Sequence, residues 1–163
     1  METDNVIAEC IDNCITVALD ELYAKDLHLF TYRVHERAIV FRFGHYLQNQ
    51  MDLYDVFRQY NLDFEYNRNG RQPKRIPARS RNGAVPDLII HRRGVNTHNL
   101  LVLEFKPYWG RNASDDCEKI LQFLNPDWEY KYQYGKSIIL AEDREDVTIK
   151  SFSQAQVYPE RRL

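Results

Sequence analysis

At 163 residues, with 44% hydrophobic and 28% charged side chains, the chain has the size and balance of one globular domain with a substantial core, which excludes a disordered or fibrous polypeptide. The net charge of −2 excludes a uniformly basic nucleic-acid coat, and no run approaches the roughly 18 apolar residues of a membrane span. The opening METDNVIAEC carries neither a basic leader nor an apolar h-region, so a cytoplasmic location is expected, where Cys10, Cys14 and Cys117 read as free thiols.

From Val6 to Leu22, the residues Ile7, Ile11, Cys14, Ile15, Ala18, Leu19 and Leu22 recur at helical spacing opposite an acidic face, which predicts an amphipathic packing helix. Residues 24–30 read as a connector. Thr31 is then expected to cap a second helix over Arg33 to Met51, with Glu36, Val40, Phe43 and Leu47 on one stripe. A glutamate aligned with an apolar stripe is unusual, although the first turns of a helix suit a negative charge. His28, His35 and His45 lack ligand-like spacing and no Ser or Cys nucleophile pattern accompanies them, so neither a zinc site nor a Ser/Cys hydrolase is expected.

After a short turn through Tyr60, residues 61–67 (NLDFEYN) alternate Leu62, Phe64 and Tyr66 against Asp63 and Glu65, the pattern of a half-buried strand, with Glu65 expected to face solvent ahead of leaning toward the site. The next stretch, Arg68 to Gly83, is a long loop holding Arg68, Arg71, Lys74, Arg75, Arg79 and Arg81 without an acid. With Arg92 and Arg93 it forms a basic track that can neutralise phosphates.

Val85 to His91 and Leu100 to Lys106 are β-type runs joined by an Arg-Gly-Asn-rich connection and read as a hairpin. In a symmetric loop, Asp87 falls directly across from Glu104, and alternation adds Lys106 to their face, which is otherwise built of Ile89, Leu100 and Val102. Two carboxylates and an ammonium on an apolar sheet face are costly to bury unless something binds them. Mg²⁺ or Mn²⁺ takes such oxygen ligands, so Asp87 and Glu104, with the backbone carbonyl of Phe105, are candidate metal ligands. Lys106 would then orient the nucleophile or stabilise the transition state of phosphodiester hydrolysis.

Farther on, Asn112 or Ser114 is expected to cap a helix with Asp115, Asp116 and Glu118 in its first turn and Cys117, Ile120, Leu121 and Leu124 as its buried stripe, ended by Asn125-Pro126. Trp128 to Tyr134 (WEYKYQY) suits core and rim packing ahead of base stacking. Gly135 to Ala141 reads as a buried strand, Glu142 to Asp146 as a polar turn and Val147 to Phe152 as an edge strand.

The motif Pro86-Asp87 followed by Glu104-Phe105-Lys106 resembles the signature of the PD-(D/E)XK nuclease superfamily, and the surrounding phrases resemble those of its small, stand-alone bacterial members. The resemblance implies an α/β (α+β) fold with a restriction-endonuclease-like αβββαβ core over about residues 31–141, a mixed sheet flanked by helices, and an extra N-terminal helix. It also implies a Mg²⁺- or Mn²⁺-dependent nuclease acting on nucleic acid, DNA ahead of RNA. Glu36 would be the helix glutamate that assists at the metal, and Lys119, more weakly Gln122, a polar contribution from the helix after the Glu-x-Lys strand. The alternatives are a catalytically silent nucleic-acid-binding or protein-interaction module on the same scaffold, and an effector that works with a partner protein. A homodimer is a further expectation.

Overall fold

The computed structural model describes residues 2–75, 85–110 and 114–159, with the side chains of 2–5 and 114–116 left aside. Helix α1 spans Glu2–Asp26, extending past the sequence-predicted helix at both ends. Its stripe is buried as the spacing requires: Ile11, Cys14, Ile15, Ala18, Leu19 and Leu22 are all within the core. Burial raises the Cys14 thiol to about 11, so it behaves as a small apolar residue.

The expected connector is itself a short helix, α2, His28–Thr31. The chain then turns at Arg33, whose φ of +48° breaks the helical path, and α3 begins only at Glu36–Met51. Thr31 therefore does not cap α3. His35 does, its ring Nδ1 accepting the Arg37 N–H at 3.3 Å. Val40, Phe43 and Leu47 are buried along the stripe that Glu36 begins.

Five strands form one mixed sheet in the order β1 (Asn61–Phe64), β4 (Leu88–His91), β5 (Asn99–Pro107), β6 (Tyr134–Leu140) and β7 (Thr148–Ser153). Only β5 and β6 are parallel, and α4 (Ser114–Leu124) makes the crossover between them. Two short strands, β2 (Arg68–Asn69) and β3 (Gln72–Pro73), make a separate ribbon inside the basic stretch, and α5 (Gln154–Val157) follows β7. The strand Asn61 to Asn67 is shorter than its alternation suggests, because Glu65 adopts φ +46° and ends the ladder. Residues 76–84, with Arg79 and Arg81, lie outside the described residues, as do Asn112 and the side chains of Ser114, Asp115 and Asp116.

Helices α1 and α3 cover one sheet face over Leu88, Ile90, Leu101, Leu103 and Phe105, while α4 covers the other over Ile89 and Val102. The buried residues of α4 are Ile120, Phe123 and Leu124, with Cys117 and Leu121 only partly covered. Tyr130 and Tyr132 join that second cluster, so the aromatic stretch packs rather than presenting rings to solvent. Among the described residues no helix is long and apolar enough to cross a membrane.

Candidate active site

The hairpin between β4 and β5 pairs Leu88 with Leu103, Ile89 with Val102 and Ile90 with Leu101. The ladder ends at Leu88 and Leu103, so Asp87 and Glu104 are the next residues along their strands, just beyond the last paired rung. The register slips at the other end, where His91 pairs with Asn99, and this irregularity turns Leu100 toward the α1 and α3 cluster instead of the face of Ile89 and Val102.

At the Asp87 end the two strands part, and Glu104 to Pro107 keep a ladder partner only in β6. The Asp87 carboxylate takes the place of a β4 rung: its Oδ2 accepts the Phe105 N–H at 2.7 Å. In a strand, the N–H and C=O of one residue point to the same neighbour. The Phe105 carbonyl is thus directed to the same open edge as Asp87. The Asp87 carbonyl in turn accepts the Glu65 N–H at 3.0 Å, fixing the segment between β1 and β5.

Glu104, 2% exposed, lies under α4, where its Oε2 accepts from the Lys119 ammonium at 2.8 Å. Lys119 also donates to the Val85 carbonyl at 2.6 Å. One side chain of α4 therefore holds both Glu104 and the segment that leads into Pro86 and Asp87. Such a pair is stable only while both members are present, since either alone is a costly buried charge. Gln122 sits one turn farther along α4, its Oε1 buried without a hydrogen-bond partner among the described residues.

Lys106 shares the parity of Glu104, yet its ammonium ends 4.0 Å from Glu36 Oε2 at the start of α3. The open edge beyond β4 permits that reach. Glu36 and Asp87 line one cleft together with His35, Arg37, Phe64, Glu65 and Val85. Glu65 takes the less favoured of its two sequence readings: it leans toward this cleft and pairs with Arg37 at 2.6 Å. Its left-handed backbone is the reason, and nothing in an alternating pattern signals a positive φ at a glutamate.

The basic residues divide. Arg68, Arg71, Arg75 and Arg92 are exposed, as a phosphate track requires. Arg93 is engaged by Asp63 through its Nε at 2.8 Å and a terminal nitrogen at 2.5 Å. Burial would raise Asp63, but hydrogen bonds from Arg93 and His91 outweigh it and hold the carboxyl at about 2. Lys74 departs from the expected role, being buried against Tyr132 rather than displayed on the loop. Lys119, expected as the polar contribution of this helix to the site and with it a contact for nucleic acid, is committed to Glu104.

Among the described residues, no three His, Cys, Asp or Glu side chains gather as a ready metal cluster. The donor chemistry present at the hairpin end nonetheless suits a hard divalent cation, which commonly takes one or two carboxylates and fills its shell with water and phosphate oxygens. No family model, curated protein or solved structure matches the chain.

Proposed function

We propose that this protein is a nuclease of the PD-(D/E)XK type that hydrolyses phosphodiester bonds in nucleic acid, DNA ahead of RNA, with Mg²⁺ or Mn²⁺. The observation that carries the reading is the hairpin end, where Asp87 and Glu104 follow the last rung, Leu88 with Leu103, and the Phe105 N–H donates to the Asp87 carboxylate. The order α3, β1, β4, β5, α4, β6 is compatible with a restriction-endonuclease-like core, which belongs to the same proposal.

In this reading Asp87, Glu104 and the Phe105 carbonyl would hold the ion, with Glu36 assisting from α3. The ion supplies a more acidic bound water and charge compensation at the phosphate. Lys106, beside Glu36, orients the attacking oxygen and offsets charge on the phosphate. Lys119 holds Glu104 in place beneath α4. Arg71, Arg75 and Arg92, exposed, bind the backbone of the nucleic acid.

The test is cleavage of labelled single- and double-stranded DNA and RNA with Mg²⁺ or Mn²⁺, native protein beside Glu104→Gln and Asp87→Asn. Native cleavage and a loss of about a hundredfold or more in both variants are expected, the scale on which removing one charge-stabilising group acts. Equal cleavage in all three preparations would assign the activity to a contaminant. Binding without any cleavage would favour a catalytically silent nucleic-acid-binding module.

A further inference from the structure

At the other end of β4 from Asp87, a second polar cleft of about 170 Å³ opens between the β2–β3 ribbon and the β4–β5 loop. Tyr66, Arg68, Gly70, Lys74, His91 and Gly94 are among its lining residues. Asn96 ties its two rims, its Nδ2 donating to Asn69 Oδ1 at 2.6 Å.

Lys74 is the unusual member. It is 2% exposed, and its ammonium donates to the Tyr132 hydroxyl at 2.9 Å. The rings of Tyr66, Tyr130 and Tyr132 surround it, with centroids 5.1, 5.7 and 5.4 Å away. Among the described residues no carboxylate forms an ion pair with it. Asp63 is occupied by Arg93 and by His91, whose Nε2 lies 2.7 Å from Asp63 Oδ2. Aromatic faces stabilise an ammonium and Asp63 offsets part of its charge, but no carboxylate among the described residues bonds to it directly. A buried charge in that state is costly, and a methionine would fill the same space without the penalty.

The remaining lining is suited to a counter-ion. Arg68 stands exposed at the rim and forms no ion pair among the described residues. With Arg93 set against Asp63, and the Glu129 carboxylate accepting from the Asn69 side chain at the rim, the cluster keeps one positive charge in excess. Gly70 at φ +56° and Gly94 at φ +85° border the cleft with open space beside each, backbone conformations in which amides can converge on an anion. A lysine as point charge and an arginine fork form a donor set for a tetrahedral oxyanion. The volume admits one such group with a few waters, each with a liquid share of about 30 Å³.

We propose that this cleft is a phosphate-binding site, with Lys74 and Arg68 as its charged donors. The phosphate belongs either to a free small molecule or to the terminus of a nucleic acid, and the site works whether or not the chain cleaves phosphodiesters. Calorimetric titration of the full chain with inorganic phosphate, a nucleoside 5′-monophosphate, and a 5′-phosphorylated or 5′-hydroxyl oligonucleotide tests it. Saturable binding of phosphate by about 10 mM is expected, corresponding to a millimolar or tighter constant. Arg68→Ala is expected to weaken it about tenfold or more, and Lys74→Met, an apolar replacement of similar shape, to abolish it with the circular dichroism unchanged. Preference for the 5′-phosphorylated over the 5′-hydroxyl oligonucleotide assigns the terminus as source, and equal binding of the two assigns the small molecule. Absence of saturable binding for every probe overturns the proposal, as does unchanged affinity in a folded Lys74→Met. If Lys74→Met does not fold, Arg68→Ala decides alone: a tenfold loss supports the site and native affinity overturns it.

Discussion

Lys119 and Lys74 are covered in opposite ways. Lys119 meets a carboxylate, Glu104, at 2.8 Å, whereas Lys74 meets only a tyrosine hydroxyl and aromatic faces. Burial lowers the Lys74 ammonium from 10.5 to about 8, with Asp63 offsetting part of the drop. As pH falls from 10.5 the unfolded chain takes up this proton first, so the native state loses stability down to about pH 8 and the penalty is constant below that. Lys74→Met removes it. Denaturant midpoints are therefore expected to show the variant more stable than the native chain by about 3 kcal/mol at pH 7, with the gap closing toward pH 10.5. A gap that widens as pH rises would contradict this. Neither lysine's environment is legible in sequence, because both sit in polar, charged stretches that read as solvated. What the residue types did signal was the cost of Asp87 and Glu104 beside apolar neighbours, and Glu104 is indeed covered by α4.

Among the elements, the β4–β5 hairpin was legible because two apolar runs around one loop leave a single symmetric pairing, and Leu88 meets Leu103 accordingly. The slip near His91 was not, since a bulge leaves alternation almost intact. The start of α3 was missed for a local reason: Arg33 in a left-handed conformation and a histidine cap compete with a Thr31 signal that matches the usual preference. The seat of α4 on the sheet rests on close approach at β6. A Cβ at Gly135 would lie 2.3 Å from Ile120 Cγ2 and 3.0 Å from Leu124 Cδ1. Gly135→Ala is thus expected to push α4 away and to cost about 1–3 kcal/mol in a denaturant titration. Because α4 carries Lys119, the same variant is expected to lower any Mg²⁺-dependent cleavage; full stability with full activity would show that the helix does not depend on this contact.

For the molecule as a whole, the mixed sheet with helices on both faces follows from alternating strands and one strand-helix-strand crossover, features that apolar periodicity carries well. The ribbon β2–β3 and the turn to α5 were not legible, being too short to hold a period. The exposed arginines give the molecule a basic region on a chain whose net charge is −2. If they contact phosphates, nucleic-acid affinity falls steeply with salt, and Arg71→Ala is expected to reduce the slope of log K against log salt by about 1. An unchanged slope would remove Arg71 from the track. The central claim concerns the end of the hairpin, and a Mn²⁺-soaked crystal addresses it most directly. Anomalous density about 2.1 Å from oxygens of both Asp87 and Glu104 is expected. A fully soaked crystal with density elsewhere, or with none at this pair, would contradict it.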